Sequence, residues 1–535
     1  RAILDAYQAE YDGLWFAWTS ASWEAAISGK KEAFDAVARA ELALDSFHSN
    51  PDTYKAMKEL LKSGDQLEAQ DRRALEVAML ELESKQLPED KLERMAELSA
   101  KIGQAFNTFR AELDGSRVSN NDLLTLLAKE RDSNQRMKIW KALKQVGPAV
   151  GPDLVRLAEI RNEAARERGF ESFWDMEVRM QEHDPKILLS TFAELEALTA
   201  KPYRDMKAEL DAELARRFDV SPDALMPWHY DDPFFQAAPP SEKLDLDEFY
   251  KDKTKEEIVE IAIRFYDDIN MQIQDIVDRS DLYEKEGKDQ HAFCEDMNRK
   301  GDIRTLQNIR PTAEWMDTML HECGHAVYDK YVDPSLPFNL RAANHSFTTE
   351  GVAMLFGALA KNPMWIIAYA GGDEKRVNQV ADAIVEQRRR EQLIFCRWSL
   401  VMLNFEKALY DNPRQDLNKL WWDYVERFQF LKRPDSRNEP DWATKPHFTI
   451  APVYYHNYML GELFSAQARS VLARKAGHKG PASGLSFNGR KDFGDFLKST
   501  IFKPGKSCKW PAFVTEATGE ALTAKYFAEE LGAGS

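Results

Sequence analysis

Over residues 1–220, apolar side chains recur at three- and four-residue intervals with charged residues between them, which predicts helix after helix. Leu14-Trp15-Phe16-Ala17-Trp18 through Trp23 opens the series, and residues 56–61, 75–82 and 92–102 continue it. Pro51, Pro88, Gly147-Pro148 and Gly151-Pro152 mark joints, and Ser119-Asn120-Asn121-Asp122 offers caps ahead of Leu123-Leu124. Residues 219–241 break the pattern, with Pro222, Pro227, Pro233, Pro239 and Pro240 among aromatic residues, and predict a long irregular segment. Helical spacing resumes over residues 255–276. Short alternating pieces within 286–311, such as Ile303-Arg304-Thr305-Leu306, predict a small strand pair. Helices dominate again after Glu350, broken at Gly371-Gly372, 434–446 and 477–489. The fold class is mainly α with a small β element.

Composition narrows the function. The chain has 535 residues, 44% apolar and 30% charged, enough to bury a large core. Its net charge of −17 argues against nucleic acid or an anionic membrane surface as partner. No apolar run approaches the roughly 18–20 residues that span a bilayer. Cys294, Cys323, Cys396 and Cys508 are too few and scattered for a disulfide framework or a cysteine zinc cluster. The chain starts at Arg1, and the expectation is an exported protein, periplasmic or secreted, whose signal segment is absent from this chain, with a cytoplasmic one as the alternative.

The sharpest chemical signal is His321-Glu322-Cys323-Gly324-His325, inside an apolar-patterned run from Trp315 to Tyr328. On a helix of about 3.6 residues per turn both imidazoles share a face and can reach one ion. Glu322 stands at the edge of that face, within reach of a water on the ion. A catalytic zinc site requires a third protein ligand and one open position. Glu350, 25 residues after His325 in an apolar stretch, is the best-placed candidate, with Ser346 or Thr348 as helix cap. His345 competes on residue type, although its loop position suits a hydrogen-bonding role. Asp317, one turn before His321, is a candidate to orient a ligand histidine. Bound zinc lowers the pKa of water toward about 7, and Glu322 can then accept the proton and pass it to a leaving amine. The developing oxyanion needs a further donor, and residues 445–458 supply Tyr454, Tyr455, Tyr458, His447 and His456.

Together these features resemble the angiotensin-converting-enzyme family of peptidyl-dipeptidases, zinc enzymes that release C-terminal dipeptides, in the form of a bacterial-type member. The patches that carry the resemblance are residues 14–26, 291–354 and 421–458. It implies a large two-lobed helical zincin fold around a deep central cleft. It further implies one catalytic domain over 1–535, with residues 1–115 as a helical lid that admits short peptides. His321, His325 and Glu350 match the family's zinc ligands and Glu322 its general base. Tyr458 matches the residue that stabilises the transition state. His291-Ala292 match residues that hold the peptide backbone and the scissile carbonyl, and His447 matches one that binds a backbone carbonyl near the terminal carboxylate. Lys445 and Tyr455, the latter three residues before Tyr458 on a predicted helix, match the grip on the terminal carboxylate, and the family's carboxylate-binding Gln aligns at Tyr230. The departures are Cys323 for the motif's Met, read as a buried thiol, and Met354 for an Asp one turn after the third ligand. Asn457 replaces an Arg linked to chloride activation, which implies weak or no chloride dependence. The gap from His325 to Glu350 is one residue longer than in the family's animal enzymes, a spacing that also suits the thimet-type oligopeptidases. An endo-acting oligopeptidase is therefore the alternative, followed by a non-catalytic zinc-containing peptide-binding protein. An aminopeptidase fits less well, since no Gly-x-Met-Glu-Asn motif is present.

Overall fold

The computed structural model describes residues 2–62, 67–241 and 244–533, and 69% of the chain is helical. The mainly α expectation holds. Several helix starts follow from their caps. The Ser119 hydroxyl accepts from the Asp122 amide at 3.2 Å and opens helix Asn120–Lys129. Asp184 caps Pro185–Phe218, whose first helical residue is a proline that has no amide hydrogen to leave unsatisfied. Among the described residues, no single helix is long and apolar enough to cross a membrane.

The chain divides into two compact units. One gathers Arg1–Gln86, Glu242–Val385 and Leu460–Glu530, and the other Leu87–Ser241, Glu386–Met459 and Leu531–Ser535. The stretch 1–115 therefore falls in both, with its helix Glu89–Thr108 in the second unit.

In the first unit the expected strand pair is present. Phe293–Asp296 runs antiparallel to Ile303–Leu306, with Phe293 opposite Leu306 and Asp296 opposite Ile303. The Trp-rich first helix, Ala2–Ser28, braces this hairpin: the Trp15 indole donates to the Asp296 carbonyl at 3.1 Å and Thr19 Oγ1 to the Met297 carbonyl at 2.8 Å. Trp23 packs with Met297 and Leu306. The hairpin in turn packs on helix Ala313–Lys330, which carries the histidine motif.

The second unit holds a further hairpin that the apolar pattern did not predict, Ala111–Leu113 with Ser116–Val118. Its turn, Asp114-Gly115, has φ of +48° and +81°, the mirror-image turn that Asp-Gly favours, so the dipeptide was the available signal. The proline-rich segment 219–241 is irregular as expected, yet it is pinned. The buried Arg136 guanidinium donates to the Trp228 carbonyl at 2.7 Å and to Asp231 at 2.6 Å.

Candidate functional site

In the first unit, Thr312 caps the motif helix by accepting from the Trp315 amide at 3.2 Å. Met316, Met319, Leu320, Cys323 and Val327 face the core, which fixes the rotation of the helix and turns His321 and His325 away from it. Cys323 is fully buried, as expected of a core thiol. The two imidazoles lie one turn apart, with ring centroids 4.9 Å from each other.

The second helix, Ser346–Gly357, crosses close by because two glycines permit it. A Cβ on Gly324 would come 2.9 Å from Ala353 Cα, and one on Gly357 would come 2.5 Å from an Asp317 carboxylate oxygen. His345 itself caps this helix, accepting from the Phe347 amide at 3.2 Å, while Thr348 Oγ1 accepts from the His345 amide at 3.0 Å. Thr348 thus has the reciprocal capping role, and Ser346 is not the cap. His345 is the hydrogen-bonding residue its position suggested. Glu350, one turn in, points a carboxylate oxygen to 3.8 Å from His321 Nε2 and 3.9 Å from His325 Nε2.

Tetrahedral zinc with bonds near 2.0–2.1 Å needs ligand atoms about 3.3 Å apart, and the three ligand atoms here lie within 4.8 Å of one another, so they would have to draw together to close on an ion. The one nitrogen, one nitrogen, one oxygen donor set fits a zinc-type ion. Burial pushes the Glu350 carboxyl up to about 7 and, helped by the charge of His321, the His325 imidazole down to about 3. Burial, followed by the charge of Glu350, pushes Glu322 up to about 8. A cavity of about 390 Å³ borders the motif, lined by Glu314, Asp317, Thr318, His321, Glu322 and Lys361.

The support of the ligands differs from expectation. Asp317 pairs with Lys361 at 3.2 Å and, among the described residues, makes no hydrogen bond to either histidine. Thr349 orients one of them instead, with its Oγ1 2.6 Å from His325 Nδ1. Sequence reading missed it, although it adjoins Glu350. His291 and Ala292 directly precede strand Phe293–Asp296, and the His291 ring is exposed beside Asp289 at 3.3 Å.

The second unit assembles Lys445, His447, Tyr455 and Tyr458. Lys445 is buried, and its ammonium donates to Gln236 Oε1 at 2.6 Å. The rings of Phe234, Trp398 and Tyr455 stand 5.5, 5.3 and 5.5 Å from it. Burial lowers its pKa to about 8. Tyr455 Oη accepts from the Trp398 indole at 2.6 Å, and the rings of His447 and Tyr458 lie 5.1 and 5.3 Å from the Tyr455 ring. His447 is pushed down to about 4 by burial and by Lys445. Helix His456–Ala476 begins after Tyr455, so only Tyr458 sits in a helical turn. Tyr230 is not the glutamine's counterpart here. It donates to Asp211 at 2.7 Å and accepts from Lys207 at 2.8 Å, whereas Gln236, six residues on, reaches Lys445. Asp232 holds Gln236 by accepting from its amide at 3.1 Å and its side chain at 3.2 Å.

The sequence profile of the family described as angiotensin-converting enzyme matches residues 1–529. The chain is 23% identical over 438 residues to angiotensin-converting enzyme of Mesocricetus auratus, covering 75% of this chain and 32% of that protein. For the Oryctolagus cuniculus protein of the same name the identity is 23% over 446 residues, covering 76% and 33%. Carboxypeptidase 1 of Bacillus subtilis (strain 168) is 23% identical over 272 residues, 45% of this chain and 52% of that protein. The chain spans about a third of the length of the first two relatives. With the profile matched from the first residue to residue 529, the chain belongs to the angiotensin-converting-enzyme family of peptidases.

Proposed function

We propose that this chain is a zinc metallopeptidase that releases C-terminal dipeptides from short peptides. The observation that carries the reading is Lys445. Its ammonium is buried, bonded to a neutral amide, and among the described residues has no ion-pair partner. The carboxylate of Asp232, which is not ion-paired with it, offsets only part of the cost of burying this cation, and a substrate's terminal carboxylate would supply a direct counter-charge. Gln236 and the Tyr455 hydroxyl add neutral polar groups suited to the same carboxylate.

His321, His325 and Glu350 would hold the ion. Once bound, it supplies Lewis acidity toward a carbonyl and acidifies water. Glu322 takes the proton of the attacking water on a carboxylate oxygen and returns it to the leaving amine. In the metal-free chain its carboxyl is pushed up to about 8, and a nearby dication favours the ionised form instead. Tyr458 is assigned as donor to the carbonyl oxygen on which charge develops, and His447, His291 and Ala292 as groups that position the peptide.

Liquid chromatography with mass spectrometry on matched peptides, with free and with amidated C-termini, tests the reading. Free peptides should lose dipeptides at least tenfold faster than their amidated partners. Equal cleavage of both would instead support the endo-oligopeptidase alternative. The match to a protein named carboxypeptidase favours one further reading, release of single residues, which product masses distinguish.

Asn457 bears on chloride. It is buried, donates to Gln181 at 2.8 Å and lies 3.1 Å from His183 Nε2, so a neutral side chain stands there. Added chloride should leave the rate unchanged, and a several-fold rise would contradict this.

A further inference from the structure

The segment that carries His447, Tyr455 and Tyr458 contains a backbone conformation that its sequence disfavours. Val453 has φ of +52°, in the left-handed region where a β-branched side chain is a rare occupant. The residue is buried, and both of its backbone polar groups are taken by side chains from elsewhere in the same unit. Its amide donates to Glu406 Oε1 at 2.8 Å, and its carbonyl accepts from Gln181 Nε2 at 2.8 Å. Gln181 also accepts from the Asn457 side chain at 2.8 Å, which ties Val453 to the first turn of the helix that bears Tyr458. On the near side, Arg161 donates to the carbonyls of Phe448 at 2.7 Å and Thr449 at 3.1 Å.

We propose that Glu406 and Gln181 are positioning residues that hold Val453 in the left-handed conformation and so aim Tyr455 and Tyr458. The inference rests on the reading of those tyrosines given above. Strained backbone persists only where its surroundings over-determine it, and a buried carboxyl and a half-buried amide closing on one residue are such surroundings. Without them, φ at 453 returns to negative values and every atom from Tyr454 onward rotates. The Tyr455 hydroxyl, held 2.6 Å from the Trp398 indole, and the Tyr455–His447 ring contact would be displaced. Burial raises the Glu406 carboxyl to about 8, so a neutral acceptor suffices at Val453.

Four variants test this: Glu406→Leu, Glu406→Gln, Val453→Gly and the Glu406→Leu/Val453→Gly pair. Each is measured for kcat and KM on a free-C-terminus peptide and for amide exchange over residues 453–458. Glu406→Leu should lower kcat about tenfold or more, whereas Glu406→Gln, which keeps an acceptor, stays within about threefold. Glycine adopts positive φ at no steric cost, so Val453→Gly should restore most of the kcat lost in Glu406→Leu. A merely structural Glu406 predicts multiplied losses in the pair, and that result overturns the proposal. If Glu406→Leu does not fold, Gln181→Met replaces it in the same cycle. If the wild-type chain cleaves no peptide, the reading of the tyrosines fails, and exchange alone decides the clamp. Protection at 454–458 that is lost in Glu406→Leu and recovered in the pair sustains it; protection there unchanged in Glu406→Leu overturns it.

Discussion

Around the group that could hold a metal, each side chain's behaviour follows from burial and from one neighbour. Thr349 holds His325 through Nδ1, and the tautomer that donates there leaves the Nε2 lone pair toward Glu350. Thr349→Val should therefore lower zinc affinity about 10–100-fold in a chelator competition, and an unchanged affinity would remove Thr349 from the site. Glu322 is near the ligands but has no place among them: the three atoms that converge belong to His321, His325 and Glu350. Glu322→Gln should retain stoichiometric metal while kcat falls by about 10²–10⁴. Activity within about tenfold of wild type would take Glu322 out of the proton transfer. The motif, and Glu350 as the third member of a group that could hold a metal, were legible from residue types and spacing. Thr349 was not, because a hydroxyl within hydrogen-bond reach of an imidazole on another helix leaves no periodic trace.

Between elements, the decisive geometry is the crossing of Ala313–Lys330 with Ser346–Gly357. Gly324, inside the histidine motif, lies so near Ala353 that a methyl group would force the two backbones apart. Gly324→Ala should cost about 1–3 kcal/mol of stability through overpacking. It should also weaken metal binding, since Glu350 rides on the displaced helix. Thermal melts with and without zinc check both, and a variant that melts and binds zinc like the wild type would refute the account. Helix starts at Ser119 and the strand pair at 293–306 were readable from caps and alternation. The cap at His345 was not, because histidine is a less common cap than the Ser346 and Thr348 beside it.

For the whole molecule, chain segments far apart in sequence share each unit, and buried acids are enclosed where they meet. Glu406 is 4% exposed, and burial lifts its folded pKa from the usual 4.5 to about 8. The folded state then binds more protons than the unfolded one between these values. The stabilising contribution is full below about 4.5 and is lost as pH rises through about 8. The melting temperature of the wild type relative to Glu406→Gln should fall between pH 6 and 9, and a constant difference would show that Glu406 does not titrate as stated. Lys445 and Gln236 make the same point from the other side, since they meet across 209 residues of chain. Helical class, the zinc-type motif and Glu350 were determined by sequence alone, because spacing on a helix and residue chemistry are local properties. Tertiary structure alone decided that Gln236 rather than Tyr230 bonds Lys445, and that Thr349 rather than Asp317 holds His325. It also decided that Val453 is held left-handed. Those partners are chosen by how distant segments pack, and neither periodicity nor composition along the chain encodes which side chains then come within 3 Å.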